Sequence, residues 1–309
     1  MAKINLGLLD FGLRDERMNS MRIVEDLVEY ARHADQLGFS RFWIAEHHST
    51  GRRMAWSNPQ PLVPILAGMT DRIRIGVAGV LLGIHNTYHV ASHFKLLANL
   101  FPKRIDLGLA NGVVSEKVAQ MAVQRSNKES RALFEQNSRQ LVHILRNEEE
   151  LYENGKGIVI PPYKGEIPEI WSLGVSYDSL NRALELESNF ARSIFHHGSD
   201  NSYEQERLAR FKEEFYAIHK RKPRITLALA GCCHSSNLKA KRILMSLNQD
   251  TQVAKGEVFG TPDKFYDQIM EVTEKYGIDE VIFMSAALNV KDRMLGIELI
   301  SDVFRLNSN

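Results

Sequence analysis

The run Arg41-Phe-Trp-Ile-Ala-Glu-His-His48 follows four apolar or aromatic residues, Phe42 to Ala45, with an acid and two histidines. An imidazole exchanges a proton near neutral pH, so His47 is a candidate for acid–base work. Phe42–Ala45 reads as a short buried strand. A strand that delivers titratable side chains at its C-terminal end is how a (β/α)₈ barrel assembles an active site. The alternative is a polar rim at a strand end.

Three other segments carry residue types that could act. In Trp171-Ser-Leu-Gly-Val-Ser-Tyr-Asp-Ser179 a strand ends near Leu173, Gly174 turns the chain and Ser176 stands where a helix N-cap would. Ser176 and Ser179, with free backbone N–H groups and the helix dipole, would make a phosphate cradle; a plain serine cap is the alternative. In Ile75-Gly-Val-Ala-Gly-Val-Leu-Leu82 two glycines interrupt a strand. Close approach of a flat aromatic ligand would explain Gly76 and Gly79, and so would a tight barrel corner. His85, His89 and His93 would form one stripe if all were helical. A straight row cannot wrap a tetrahedral ion, and His85 is expected to precede the helix, so no metal site is expected. His196-His197 ends another strand and could line the pocket. There is no Gly-x-Ser-x-Gly, His-Glu-x-x-His or P-loop, which removes the usual hydrolase and nucleotidase residues. Nor does a Gly-x-Gly-x-x-Gly open a helix after an early strand.

The elements that must position these groups alternate along the chain. Strands are expected at Ile4–Leu9, Phe42–Ala45, Ile73–Leu82, Ile105–Ala110, Ile170–Leu173, Phe190–Phe195, Ile225–Ala230 and Val281–Met284. Helices are expected at Met21–Leu37, Pro61–Met69, His89–Phe101, Tyr177–Leu186, Tyr203–His219, Leu238–Leu247, Pro262–Tyr276 and Val290–Phe304. The first helix is apolar at Ile23, Leu27, Tyr30, Ala31, Ala34 and Leu37, and Gly38 closes it. Close to eight βα pairs predict an α/β fold, a TIM (β/α)₈ barrel with rim-loop insertions, in a single domain over 1–309; an open doubly wound sheet is the alternative. Gly112–Arg131 and Glu148–Glu166 are polar, the latter with Gly155, Gly157, Pro161, Pro162 and Gly165. They are expected to be long rim loops over the site, and Gly256–Thr261 a further one.

With 309 residues, 44% of them hydrophobic, the chain can bury a large core. The 39 basic and 38 acidic residues nearly cancel, which gives no reason to expect a nucleic acid or an anionic membrane as partner. No apolar run approaches the roughly 20 residues of a membrane span, and the N-terminus carries no secretory signal. Cys232 and Cys233 are adjacent, would point to opposite faces of a strand, and are not expected to pair. A cytoplasmic location is expected.

Taken in order, five segments resemble the bacterial luciferase-like flavin-dependent monooxygenase superfamily over roughly Ile4–Phe304. They are Ala34–His48, Asp71–Leu82, Lys103–Gly112, Ile170–Ser179 and Val258-Phe-Gly-Thr-Pro. The resemblance implies an enzyme that uses reduced FMN and O₂ to oxygenate a small organic substrate. It further implies a separate flavin reductase as partner and a homodimer. His47 matches the histidine near the reactive edge of the flavin, which moves a proton or steadies an intermediate. Ala78 and Gly79 match a pair joined by a non-proline cis peptide against the flavin ring, and Ser176 and Ser179 match hydroxyls on the FMN phosphate. Asn111 stands where members often carry a phosphate-clamping arginine, so the phosphate loses a charge-assisted contact unless another basic residue serves. Lys103-Arg104 replaces the usual Gly-Arg. Ala110 matches the reactive cysteine of luciferase, so light emission is not implied. Met54, Trp56 and residues 112–131 are expected on the substrate side. The rival readings are a deazaflavin- or nicotinamide-linked oxidoreductase on the same fold, a non-catalytic flavin-binding protein and an unrelated metal-dependent barrel hydrolase.

Overall fold

The computed structural model describes residues 4–15, 17–48, 53–153, 159–196, 205–250 and 256–307. The first half runs β1 (Asn5–Asp10), α1 (Ser20–Gln36), β2 (Arg41–Ile44), α2 (Val63–Gly68), β3 (Arg74–Leu81), α3 (Thr87–Leu100) and β4 (Ile105–Ala110). Four helices follow, α4 (Glu116–Val123), α5 (Asn127–Ala132), α6 (Phe134–Arg146) and α7 (Glu148–Glu153). Then come β5 (Glu169–Gly174), α8 (Ser179–Glu185), β6 (Asn189–Ser193), α9 (Gln205–His219), β7 (Ile225–Cys233) and α10 (Asn237–Asp250). The last elements are β8 (Val258–Gly260), α11 (Pro262–Tyr276), β9 (Glu280–Ser285) and α12 (Val290–Phe304).

All strand pairs are parallel. β1 to β7 pair in sequence order, β7 pairs with β9, and β9 returns to β1, so eight strands close into the expected barrel. The near-continuous apolar runs follow from this, because a parallel sheet wrapped by helices is buried on both faces. Leu9, Trp43, Trp171, Ala191, Ala228 and Ile282 pack inside the barrel, while their neighbours Leu8, Phe42, Ile44, Leu227 and Phe283 pack under the helices. Cys232 belongs to the inner cluster and Cys233 to the outer one, and both thiols are free, as their adjacency predicted.

Several expectations change. The rim segments are not plain loops. Residues 112–131 contain α4 and most of α5, each started by a serine cap, Ser115 and Ser126. Glu148–Glu153 is helical; Gly155 and Gly157 lie outside the described residues. The helix α6 was not foreseen, although Phe134, Ser138, Leu141, Val142 and Leu145 give it a buried face. The expected turn around Val258–Gly260 is the short strand β8, which adds to the end of β7 at Gly231–Cys233. Gly231 is needed there, because a Cβ would overlap the Val258 carbonyl.

The far ends of the described chain come together at the base of the barrel. Gly38 (φ +85°) leaves no room for a Cβ against the Leu306 carbonyl, the Ser301 hydroxyl donates to the Leu37 carbonyl, and the Ser40 N–H donates to the Leu6 carbonyl. Just above, the interior is charged. Arg41 donates to Asp106 at 2.6 Å and to Glu280 at 2.8 Å, and Arg74 reaches Asp106 at 2.6 Å and Glu169 at 3.2 Å. The Trp43 indole donates to the same Asp106 at 2.8 Å, and the Arg41 guanidinium lies 4.6 Å from the Trp171 ring. Burial works against the charge of Arg41, but Asp106 and Glu280 outweigh it and raise its pKa. Gly76 on β3 has no Cβ because Asp106 occupies that space.

Removing one partner of such a buried network leaves uncompensated charge. Asp106→Ala is therefore expected to destabilise the fold by about 3–5 kcal/mol in chemical denaturation. A loss below about 1 kcal/mol, the scale of an exposed pair, would contradict the assignment.

Candidate active site

Because all barrel strands are parallel, their C-terminal ends share one face. At that face Ala45 extends β2, with its N–H on the Asp10 carbonyl at 2.9 Å and its carbonyl accepting from the Trp56 indole at 3.0 Å. The extension delivers Glu46, His47 and His48. Asp10, at the end of β1, is held by Arg293 at 2.5 Å and accepts from the Gly12 N–H at 2.7 Å, which turns Phe11 towards the mouth. Trp56 packs where a Cβ on Gly12 (φ +68°) would sit.

His47 is half-buried, its ring 4.8 Å from that of Phe11, and its N–H donates to the Ser57 carbonyl at 3.3 Å. Burial lowers its pKa and His48 adds to this, against the opposing charge of Glu46. His48 turns elsewhere: its Nε2 is 2.7 Å from Glu46 Oε1. The same oxygen is 2.6 Å from His85 Nε2, and the other carboxylate oxygen accepts from the Leu81 N–H at 3.1 Å. Burial opposes the charge of Glu46, but the hydrogen bonds from His48, His85 and Leu81 outweigh it and hold the carboxyl below its usual range. His85 precedes α3, as expected, because Asn86 is the cap of that helix. His89 and His93 lie apart on the exposed face of α3, with rings stacked at 6.3 Å.

The Ala78–Gly79 peptide is cis, as the resemblance implied. The glycines themselves are explained by the neighbouring strand: a Cβ on Gly79 would overlap the Gly108 carbonyl and Leu173, as one on Gly76 would overlap Asp106. The tight-barrel explanation therefore holds for both. The result is still a strip short of side chains at Ala78-Gly79 and Gly108, with Leu173 packed against it, while Ala110 lies further along opposite Leu81.

The turn after β5 differs from the expected cap. Helix α8 starts at Ser179, Asp178 holds the cap position, and no side chain caps the helix. Ser176 instead accepts from the Asp178 N–H at 3.3 Å and lies 3.1 Å from its carboxylate. Ser179 donates to the Leu173 carbonyl at 3.4 Å, in space that a Cβ on Gly174 would take. Arg182 donates to the same carbonyl at 2.9 Å, and its buried Nε has no hydrogen-bond partner. Arg192 contacts the Val175 carbonyl at 3.4 Å and Arg207 the Asp178 carboxylate at 2.9 Å. Three guanidiniums thus ring the turn, whereas Asn111 is exposed at the end of β4. These groups fit a phosphate, and the flat strip fits a planar ring. Arg182 was not singled out in the sequence, though its spacing of three from Ser179 puts both on one helical face. His196 follows β6, with its ring stacked on Phe195 at 4.7 Å and 6.3 Å from Phe11. His197 lies outside the described residues. Met54 bridges to Leu13 beside this aromatic group.

A family model described as luciferase-like monooxygenase matches residues 4–248. The chain is similar to the N-acetyl-S-alkylcysteine monooxygenase of Bacillus subtilis, at 25% identity over 97% of this chain and 98% of that protein. The crystal structure of apo-MsnO8 superposes with a TM-score of 0.84 at 24% identity, covering 98% of this chain and 99% of that one. The oxygenating constituent of 3,6-diketocamphane monooxygenase from Pseudomonas putida, a type II Baeyer–Villiger monooxygenase in complex with FMN, gives 0.72 at 19% identity, with 97% of each chain covered.

Cys232 lines the interior with Phe195 and Met284, and both cysteines are buried. Burial pushes each thiol up to about 12. A thiol reacts as its thiolate, so the native protein should resist iodoacetamide at mildly alkaline pH and take up two equivalents once unfolded. Fast labelling of either cysteine in the native protein would refute this.

Proposed function

The chain belongs to the luciferase-like monooxygenase family, and on that premise we propose that it is an FMN-dependent monooxygenase acting on a small organic substrate. One observation carries the reading: a histidine at the end of β2, a flat strip in the second half of β3 and a serine turn ringed by guanidiniums at the end of β5 lie towards one face of the barrel. Reduced FMN, when bound, supplies the electrons that activate O₂, so that one oxygen atom enters the substrate and the other leaves as water.

The chain's own residues do the rest. Ser176 and Ser179 offer hydroxyls to the phosphate, and Arg182, which also pairs with Glu135 at 2.9 Å, brings a guanidinium beside them where Asn111 is neutral. The strip at Ala78 and Gly79 seats the ring. Phe11, Leu13, Met54 and Trp56 form an apolar wall that keeps water from the reacting atoms. His47, with one face against Phe11, moves a proton at a ring nitrogen. The absence of a dinucleotide fingerprint from the sequence supports a separate reductase as the source of reduced flavin. The P. putida relative, itself named an oxygenating constituent, supports the same division of labour.

We also propose that two copies associate through α2 and α3. Ile65, Met69, Tyr88, Leu96 and Leu100 are exposed there, Leu96 and Leu100 one turn apart on the face of α3 that also carries His89 and His93. Large apolar side chains exposed together support an interaction surface.

Three outcomes are expected. FMN should bind more tightly than riboflavin, and Ser176→Ala with Ser179→Ala should weaken FMN by about 1–3 kcal/mol in a fluorescence titration; equal affinity of the parent for both flavins would overturn the phosphate assignment. Leu96→Glu with Leu100→Glu should convert a dimer to a monomer in sedimentation velocity, and an unchanged dimer would place the interface elsewhere. With reduced FMN supplied, product should form only in the presence of oxygen, starting from thioethers of the N-acetyl-S-alkylcysteine type. His47→Ala should keep most of the FMN affinity and lose roughly 10²–10⁴-fold in product formation, while released hydrogen peroxide rises. Product formed under strict anaerobiosis would replace this reading with hydride transfer.

A further inference from the structure

Glu46 and His48 come from the end of β2, and His85 arrives from the segment before α3. Nε2 of each imidazole lies within 2.7 Å of the same Glu46 oxygen, and the three donor atoms fall within 4.8 Å of one another. The second carboxylate oxygen is fixed by the Leu81 N–H at 3.1 Å. Two imidazoles and a carboxylate, with the carboxylate oriented by an outer hydrogen bond, form a donor set that suits borderline divalent ions. The side chain of Glu46 is fully buried, while those of His48 and His85 are 15% and 18% exposed, so an ion can reach the open side.

We propose that Glu46, His48 and His85 form a binding site for a divalent transition metal of the Zn²⁺ class, with the fourth position left to water. Zn–ligand bonds of about 2.0–2.2 Å in a tetrahedron put donor atoms roughly 3.3 Å apart. The present 2.6–2.7 Å spacings are those of hydrogen bonds. The ion therefore enters by displacing the protons that the two imidazoles share with Glu46; each ring backs away from the carboxylate by less than about 1 Å, and the two imidazole nitrogens, up to 4.8 Å apart, swing towards each other. An occupied site sets a dication one residue from His47.

The test uses the chelator-treated whole protein with Zn²⁺ or Co²⁺ alone. Calorimetry should find one saturable Zn²⁺ site per chain whose binding releases protons, and Co²⁺ should give visible bands that Zn²⁺ abolishes. Glu46→Gln is the direct variant but alters a buried charge. His48→Gln and His85→Gln change the rim instead and should weaken Zn²⁺ roughly 100-fold or more, at or above the loss from an outer-shell change. The exposed His89 and His93 lie one helical turn apart and could chelate an ion themselves. A variant lacking both should keep the site. No saturable binding, or binding lost with His89 and His93 but not with His85, would overturn the proposal. The readout involves no flavin, oxygen or substrate, so its failure is separate from failure of the monooxygenase reading.

Discussion

The buried carboxylate of Asp106 is the constraint on which the barrel depends. It is fully buried, yet it takes two guanidiniums and an indole N–H, from Arg41, Arg74 and Trp43. Those partners lie on β2 and β3, and Glu169 and Glu280 extend the network to β5 and β9. A hydrophobic plug would fill the same space, but charge pairing with fixed partners also sets register, because a slip of one residue would turn each of these side chains to the helix side. The absent Cβ of Gly76 is part of the same device.

Above this charged floor the interior becomes aromatic and then reactive. Trp43 and Trp171 meet edge to face with centroids 5.1 Å apart. On them rests the mouth, where short extensions of β1 and β2 carry Phe11, Glu46, His47 and His48. The division of the histidines follows from partner and burial. His47 loses water and packs on an aromatic ring, whereas His48 and His85 share one carboxylate oxygen.

Much of this was legible in the sequence because it is local. Met21–Leu37 shows its buried face by spacing, Ile73–Leu82 its strand by β-branched and apolar content, and the acid and two histidines follow their strand directly. What stayed hidden depends on distant partners. Nothing near His85 announces that it meets Glu46, and nothing near Gly76 announces Asp106. Residues 112–131 look like a loop because they are polar, but their short helices lean on few buried side chains, Ala119 in α4 and Ser130 in α5. Ser176 has the residue type of a cap, yet a local bond to the Asp178 N–H competed successfully for its hydroxyl.

Closure of the barrel pairs Asn5 with Glu280 and Phe283 with Leu8, the first strand with the last. A chain emerging from the ribosome must hold the outer edge of β1 unpaired until almost everything else has been made. Arg41 likewise waits for Glu280. Contacts of such long sequence separation are slow to form, and an open parallel edge is a template for wrong pairing in the meantime. For this molecule the hazardous period of biosynthesis therefore lies between the completion of β4, when Asp106 can first neutralise Arg41, and the arrival of β9.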